Sequence, residues 1–227
     1  MRRTVNYIRV TYSNASYAMY LLCKELRNKT VADLVDIFSK KLNEDEITFD
    51  GIPSKERNGI DGLRLNQFSR KYIFHLLARL SSFVESESGG TDRFSEYVNR
   101  DRKNSYDIEH IWADKRSRYS DTFKDDEEFR STRDHVSGLL LLPADVNRSF
   151  QDKTFEEKAP HYAKQNLYAA SLTEATYKHQ PQFEAFRKRS SLPFKPYQYF
   201  GIPEQKQRRE LIRALVGLVW SPDRLKA

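Results

Sequence analysis

Apolar residues recur with a helical period over most of this chain. The clearest case runs from Asn66 to Glu85, where one apolar stripe contains Phe68, Tyr72, Ile73, Leu76, Leu77, Leu80 and Val84. A stripe of this kind is typical of an amphipathic helix that packs one face on a core. Similar patterns predict helices over Ala15–Leu26, Val31–Leu42, Phe94–Val98, Ala144–Phe150, Glu156–Leu172, Gln182–Arg189 and Glu204–Trp220. The pattern therefore predicts a mainly α fold.

Two segments depart from the helical pattern and predict strands. Polar and apolar residues alternate over Asp107–Trp112, whereas Val136–Leu142 is almost entirely apolar, which is typical of a strand buried on both faces. Pro143 ends the second strand, and the short predicted helix follows it. The highly charged stretch 114–134 predicts a long loop with at most one helical turn, around Glu127–Arg130.

The N-terminal part has its own organisation. Asn6–Tyr12 predicts a short strand or an extended arm, and a breaker-rich stretch from Asp50 to Gly59 closes this part. The chain has 227 residues, which suffices for one large domain or two small ones. We divide it into an N-terminal helical segment 1–62, a central core 63–172 and a basic helical segment 173–227.

Composition narrows the setting of the protein. No apolar run approaches the roughly 20 residues that a membrane span needs, and no apolar signal core follows Met1. We therefore expect a cytoplasmic protein with no membrane partner. The single cysteine, Cys23, excludes an internal disulfide and a cysteine-based zinc site. It lies in an apolar helical pattern, and we expect it to be a packed core thiol in a reducing compartment.

Positive charge is concentrated near the C-terminus. The formal net charge is +7, and nine Lys or Arg residues face only three Glu residues between Lys178 and Arg213. An excess of this kind suits a polyanionic partner such as DNA, with Arg187, Lys188 and Arg189 as candidate phosphate contacts. A solvated face without any ligand explains the charge equally well.

The candidate chemistry lies where the two strands and the short helix meet. Phosphodiester cleavage needs a base that activates water and a divalent cation that takes up negative charge. His110 is the candidate base, since an imidazole accepts a proton near neutral pH. Glu109 and Asn147 are candidate catalytic residues as ligands of Mg²⁺ or Mn²⁺, which prefer oxygen ligands. Asp107 lies on the same strand face as Glu109 and is a third candidate ligand.

Each candidate also has a purely structural interpretation. His110 would be a structural histidine if Glu109 were its ion-pair partner, and Asp107 would then be a solvated acid. Asn147 would cap a helix or stabilise a turn. Lys153 and Lys158 are candidate phosphate contacts but are also compatible with ordinary surface lysines. His135 is a possible auxiliary group without a supporting pattern of its own.

Four segments, taken in order, resemble the HNH-type nuclease domain at the C-terminal end of GmrSD-type modification-dependent restriction endonucleases. They are Asp107-Ile108-Glu109-His110-Ile111, Ser137-Gly138-Leu139-Leu140-Leu141-Leu142-Pro143, Asn147, and Phe155-Glu156-Glu157-Lys158. The resemblance covers Leu63–Leu172 well. Two positions depart from the family pattern, because Ala113 stands where a proline is usual and Gly138 where an asparagine is usual. We expect that asparagine to shape a loop, a role that His135 would take over here.

The resemblance implies a small ββα-metal (HNH) core between N- and C-terminal helical segments. It also implies metal-dependent DNA cleavage in the restriction of foreign or modified DNA. The nucleotide-dependent part of the family would be a separate domain or subunit, and a homodimer would allow double-strand cleavage. Two alternatives stay open: a catalytically degenerate domain that binds DNA or docks a protein, and an RNA-directed toxin nuclease with the same chemistry.

Overall fold

The structure is a computed structural model, of which residues 12–44 and 59–225 are described. Their helices are α1 Tyr12–Leu26, α2 Val31–Glu44, α3 Arg70–Glu87, α4 Phe94–Val98, α5 Asp126–Arg133, α6 Ala144–Phe150, α7 Phe155–Tyr162, α8 Leu167–Ala170, α9 Glu174–His179, α10 Pro181–Ser190 and α11 Ile202–Val219. The strands are β1 Tyr106–His110 and β2 Leu139–Pro143, and short 3-10 turns span Arg116–Tyr119, Val136–Gly138 and Pro222–Leu225. The predicted mainly α composition is confirmed.

Helix α3 is the centre of the core. Its apolar stripe is buried from Ile73 onward, and Ile73, Leu77 and Leu80 are fully inaccessible to solvent, whereas Phe68 precedes the helix and is exposed. Helices α4, α8, α10 and α11 and strand β2 all contact it. The helix begins at Arg70, four residues after the predicted start, because the Asn66 side chain accepts hydrogen bonds from the backbone of residues 68 and 69 and forms a turn there.

The two strands form an antiparallel pair, with Ile108 opposite Leu141 and His110 opposite Leu139. Helix α6 follows β2 directly and contacts both strands. The four leucines of β2 are fully buried, since α3 and α8 also contact this strand. The predicted burial of the second strand is therefore confirmed, and β1, β2 and α6 form a strand–strand–helix unit with α5 inserted between the two strands.

The charged stretch before β2 is more ordered than predicted. It contains α5, which has eight residues, where at most one turn was expected. Asp125 caps this helix by accepting a hydrogen bond from the backbone of Glu128 at 2.9 Å. Phe129 is buried against the rings of Tyr119 and Phe123. A local cap and one buried ring thus outweigh the high charge of the segment.

Two further boundaries differ from the sequence prediction. Strand β2 begins at Leu139 because a 3-10 turn occupies Val136–Gly138. The predicted helix Glu156–Leu172 is divided into α7 and α8, because the side chain of Asn166 caps a new helix by accepting from the backbone of Ala169. Helix α9 was not predicted.

The N-terminal helices α1 and α2 are linked by an ion pair between Glu25 and Lys41. Cys23 is exposed, so its prediction as a core thiol is wrong: no residue of the facing helix α2 is fully buried. The predicted strand Asn6–Tyr12 lies outside the described residues except for Tyr12, which begins α1. None of the helices in ranges 12–44 and 59–225 has both the length and the apolar character of a membrane span.

Replacing Asp125 tests the cap on α5. We expect Asp125→Ala to lower the free energy of unfolding by about 1 kcal/mol, because the first turn loses a hydrogen-bond acceptor. Asp125→Asn keeps an accepting oxygen and should lose much less. Urea unfolding followed by circular dichroism measures both variants, and equal losses for Ala and Asn would contradict the capping role.

Candidate functional site

His110 is paired with a carboxylate that comes from another part of the chain. Its Nε2 lies 2.8 Å from Oδ1 of Asp134, the residue directly after α5. The His110 side chain is 20% exposed and the Asp134 side chain 29%, so the pair is reachable from solvent but sheltered. Nδ1 of His110 makes no hydrogen bond within the described part of the chain. The ring therefore offers one nitrogen to a small molecule.

Backbone hydrogen bonds hold Asp134 in place. Its N–H donates to the carbonyl of Arg130 at 2.8 Å, and its own carbonyl accepts from the N–H of Leu65 at 2.7 Å. Arg64 and His135 form an isolated antiparallel bridge beside it. Sequence reasoning missed Asp134, because its pairing with His110 depends on a register between distant segments that no local motif encodes.

Asn147 ties α6 to the strand that carries His110. Its Nδ2 donates to the carbonyl of Ile108 at 3.0 Å. The amide nitrogen thus binds the backbone, and Oδ1 makes no hydrogen bond within residues 12–44 and 59–225. The side chain is half-buried. Asn147 thus binds the backbone of β1 two residues before His110 and keeps its Oδ1 available for another group.

Glu109 lies on the opposite, interior side of β1. It is 4% exposed, and its Oε1 accepts hydrogen bonds from Nζ of Lys158 at 2.8 Å and from the hydroxyl of Tyr162 at 3.0 Å. Burial raises the pKa of Glu109 and lowers the pKa of Lys158, while their mutual attraction opposes both shifts. Lys158 also donates to the carbonyl of His110 at 2.8 Å.

This buried pair corrects two sequence predictions. Glu109 does not share a solvent-accessible pocket with His110, because successive side chains of a strand point to opposite faces and no bulge reverses this here. Lys158 is 2% exposed and is not a surface contact for phosphate. Phe155, Lys158 and Tyr162 are three and four residues apart, so they share the inward face of α7.

The remaining candidate residues have other surroundings. Asp107 pairs with Arg70 at 2.6 Å and also accepts from the backbone of Ile108. Lys153 is partly exposed, as a phosphate contact requires. His135 is 1% exposed, and its Nδ1 lies 2.6 Å from the hydroxyl of Ser137. His135 therefore shapes the turn before β2, as expected if it replaces the usual asparagine, and its burial keeps it from touching a substrate.

The predicted basic contacts on α10 lie near the C-terminal end of α3, whereas Asp107 of β1 contacts the N-terminal end of that helix. Arg187 pairs with Glu184, Arg189 pairs with Glu87, and Lys188 is exposed. Arg70, at the first position of α3, holds Asp107, whereas Glu87 is the last residue of that helix. An 18-residue helix is about 25 Å long, and this length separates the α10 cluster from the Asp107 end of the strand.

The departure at Gly138 has a structural explanation. A Cβ at this position would lie 2.9 Å from Nε2 of Gln205 and 3.0 Å from the carbonyl oxygen of Arg133, both closer than normal contacts. Gln205 is 2% exposed and donates to the carbonyl of Thr132 at 2.7 Å. Helix α11 therefore fills the space beside Gly138 and holds the segment that leads to Asp134. Sequence reasoning missed this glutamine as well.

The predicted metal ligands fit a cation only in part. Within the described residues, no three His, Cys, Asp or Glu side chains are grouped as a metal site. Glu109 does not fit, because Lys158 and Tyr162 hold its carboxylate in the interior. Asn147 fits through its free Oδ1, whereas Asp107 does not, because it lies on the same face of β1 as Glu109 and pairs with Arg70. Mg²⁺ usually keeps several waters and takes only one or two protein ligands, so a site with this few donors is chemically reasonable.

Single and double substitutions test the buried pair. Removing one partner of a buried ion pair typically costs about 3–5 kcal/mol, because the other charge is left uncompensated. We expect Lys158→Met or Glu109→Gln alone to lower the free energy of unfolding by about this amount. The double variant should recover a large part of the loss. Additive losses in denaturant unfolding would contradict the pairing.

The buried His135 predicts a pH dependence of stability. Burial, together with the nearby Arg209 and Arg64, lowers the pKa of His135 to about 4. Between about pH 6.5 and pH 4 the unfolded chain binds a proton that the folded chain excludes, so stability falls as the pH drops through this range. His135→Asn should flatten this part of the stability profile measured by urea unfolding. An unchanged slope would show that His135 does not contribute.

Comparison with known proteins assigns the chain to a family. The family model for the C-terminal domain of GmrSD restriction endonucleases matches residues 3–191. The match extends well beyond 63–172 towards the N-terminus, and it stops before α11, which provides Gln205. No curated protein and no solved structure gives a significant match. Because the match spans most of its length, the chain belongs to the family of GmrSD restriction endonuclease C-terminal domains.

Proposed function

We propose that this chain is an HNH-type endonuclease domain that hydrolyses a phosphodiester bond of DNA with His110 as the general base. The observation that carries the proposal is the state of the imidazole: Asp134 holds Nε2 at 2.8 Å, while Nδ1 makes no hydrogen bond within the described residues. The order of β1, β2 and α6 supports the HNH assignment, and so does family membership.

In the proposed reaction, Nδ1 of His110 removes a proton from a water molecule. The resulting hydroxide attacks the phosphorus atom, the bond to the 3′ oxygen breaks, and that oxygen takes a proton from solvent. Asn147 keeps α6 against β1 through its Nδ2. Its Oδ1 would bind a cation or accept a hydrogen bond from the attacking water. Positioned general bases typically contribute about 10²–10⁴-fold to rate.

We further propose dependence on a divalent cation, Mg²⁺ or Mn²⁺. Such an ion, when bound, supplies positive charge that stabilises the phosphate and the leaving oxygen. Oδ1 of Asn147 would hold it, with water completing its coordination, whereas Asp107 lies on the Glu109 face of β1 and pairs with Arg70. Glu109 instead supports the strand from behind, because its partner Lys158 also binds the carbonyl of His110.

DNA is the proposed partner over a wider surface. Lys153, which lies shortly after the end of α6, is a proposed contact for a DNA phosphate. Arg187, Lys188 and Arg189 would contact the duplex about 25 Å from the Asp107 end of β1, which corresponds to about seven base pairs at 3.4 Å each. We propose that the protein restricts foreign or modified DNA in the cytoplasm, with a nucleotide-dependent domain or subunit. A homodimer would then cut both strands.

One observation favours a second candidate function. The acid next to the proposed base is buried in an ion pair with Lys158, which leaves few carboxylates for a metal. A catalytically degenerate domain that binds DNA or docks a protein is consistent with this arrangement. Metal-dependent cleavage by the purified protein would exclude it.

A plasmid-nicking assay tests the proposed function. We expect nicking with Mg²⁺ or Mn²⁺ but not with EDTA, and a fall of about 10²–10⁴-fold for His110→Ala, because no group would then accept the proton of water. His179→Ala removes an exposed histidine at the end of α9 and is the matched control. An RNA substrate is the second arm, and faster RNA cleavage would favour a toxin nuclease.

The outcome that refutes the nuclease proposal is specific. His110→Ala would cut as fast as wild type, or wild type would bind DNA with no cleavage under any of these metal conditions. The second result would support the degenerate DNA-binding domain.

A further inference from the structure

We propose that Asp134 is the positioning residue that sets the tautomer of His110. This inference rests on the proposed function of His110 and extends it to a residue outside the motifs of the nuclease core. A neutral imidazole carries one N–H, and a carboxylate only accepts hydrogen bonds. Since Oδ1 of Asp134 lies 2.8 Å from Nε2, the proton belongs on Nε2 and the lone pair on Nδ1. The ring is then ready to accept a proton from water.

The carboxylate of Asp134 also stabilises the product of proton transfer. When Nδ1 accepts a proton, the ring becomes a cation, and a carboxylate at hydrogen-bond distance attracts it. The adjacent Glu109 does not take this part, because Lys158 and Tyr162 occupy it on the other face of the strand. Arg133 lies 3.4 Å from the same oxygen of Asp134, so the carboxylate is bracketed by the imidazole and a guanidinium group.

The position of Asp134 is fixed more firmly than that of an ordinary surface acid. Its N–H and its carbonyl are both bonded to the backbone, at Arg130 and Leu65. Two residues earlier, the carbonyl of Thr132 accepts from Gln205. The side chain of Arg133, between them, donates to the carbonyl of Trp112 at 3.1 Å. A carboxylate held in this way orients the imidazole before any substrate is bound.

An open groove gives small molecules access to Asp134. It has a volume of about 520 Å³ and is lined by residues that include Asn66, Ser131 and Asp134. Formate is smaller than this space, so it should enter when the Asp134 side chain is removed. Chemical rescue is therefore a practical test of the carboxylate itself.

The experiment compares Asp134→Asn, Asp134→Ala and, as the control, Asp126→Asn, which changes another acid lining the groove. We expect kcat for nicking to fall about 10²-fold in both Asp134 variants, with KM for plasmid nearly unchanged. Formate should raise the nicking rate of Asp134→Ala at least tenfold and leave the rate of His110→Ala unchanged. Asp126→Asn should cut like wild type.

A second readout is independent of cleavage. Correlation spectra of ¹⁵N-labelled imidazole rings report which ring nitrogen carries the proton. We expect the Nε2–H tautomer of His110 in wild type and a mixture of tautomers in Asp134→Ala. The proposal is overturned if the tautomer is the same in both, or if formate fails to rescue a folded Asp134→Ala whose rate has fallen. If wild type shows the Nε2–H tautomer but never cuts DNA, the proposed function fails while the role of Asp134 in positioning the ring stands.

Discussion

The buried ion pair between Glu109 and Lys158 is the contact on which the geometry of the site depends. It fixes Glu109 in the interior, and the alternation of strand side chains then directs His110 to the other face. The ammonium group of Lys158 also binds the carbonyl of His110, so the same contact holds the backbone beneath the imidazole. Burying two charges away from solvent costs free energy unless they are paired and hydrogen-bonded. Here Glu109 pairs with Lys158 and also accepts a hydrogen bond from Tyr162.

The pair also explains why two separated motifs occur together in this sequence. Glu109 lies in the strand motif and Lys158 in the motif Phe155-Glu156-Glu157-Lys158. The sequence alone predicts that Glu109 binds a metal ion and that Lys158 binds a phosphate of the DNA. The structure shows that they bind each other. Charged residues in a motif can therefore stabilise the backbone around the site and need not contact the substrate.

Local patterns predicted most of the fold. The stripe of α3 and the apolar, buried strand β2 follow from side-chain periodicity, although Pro143, predicted to break the strand, is its last residue. Helix α5 is longer than the single predicted turn because Asp125 caps its first turn and Phe129 packs on Tyr119 and Phe123, ten and six residues earlier. The apolar pattern around Cys23 indicates a face that could be buried, but a local pattern does not show whether another segment covers that face, and Cys23 is exposed.

The candidate site was only partly predictable. His110 and Asn147 stand in recognisable motifs, and the structure connects Asn147 to the strand of His110. Asp134 and Gln205 carry no sequence signal, because their roles depend on tertiary contacts across 24 and 73 residues. Gln205 even lies beyond the residues that match the family model. A single glycine at position 138 makes room for it.

The assignment of Glu109 to the frame and of His110 to the chemistry is the central claim. The most direct test is the nicking rate of the double variant Glu109→Gln, Lys158→Met with saturating Mg²⁺. We expect the folded variant to lose less cleavage than the about 10²–10⁴-fold that removal of a base costs, and to need no more Mg²⁺ than wild type, because the base remains and only a frame contact is replaced. Complete loss of cleavage in a folded variant, with activity returning only at much higher Mg²⁺ or Mn²⁺, would contradict this claim and return Glu109 to the metal.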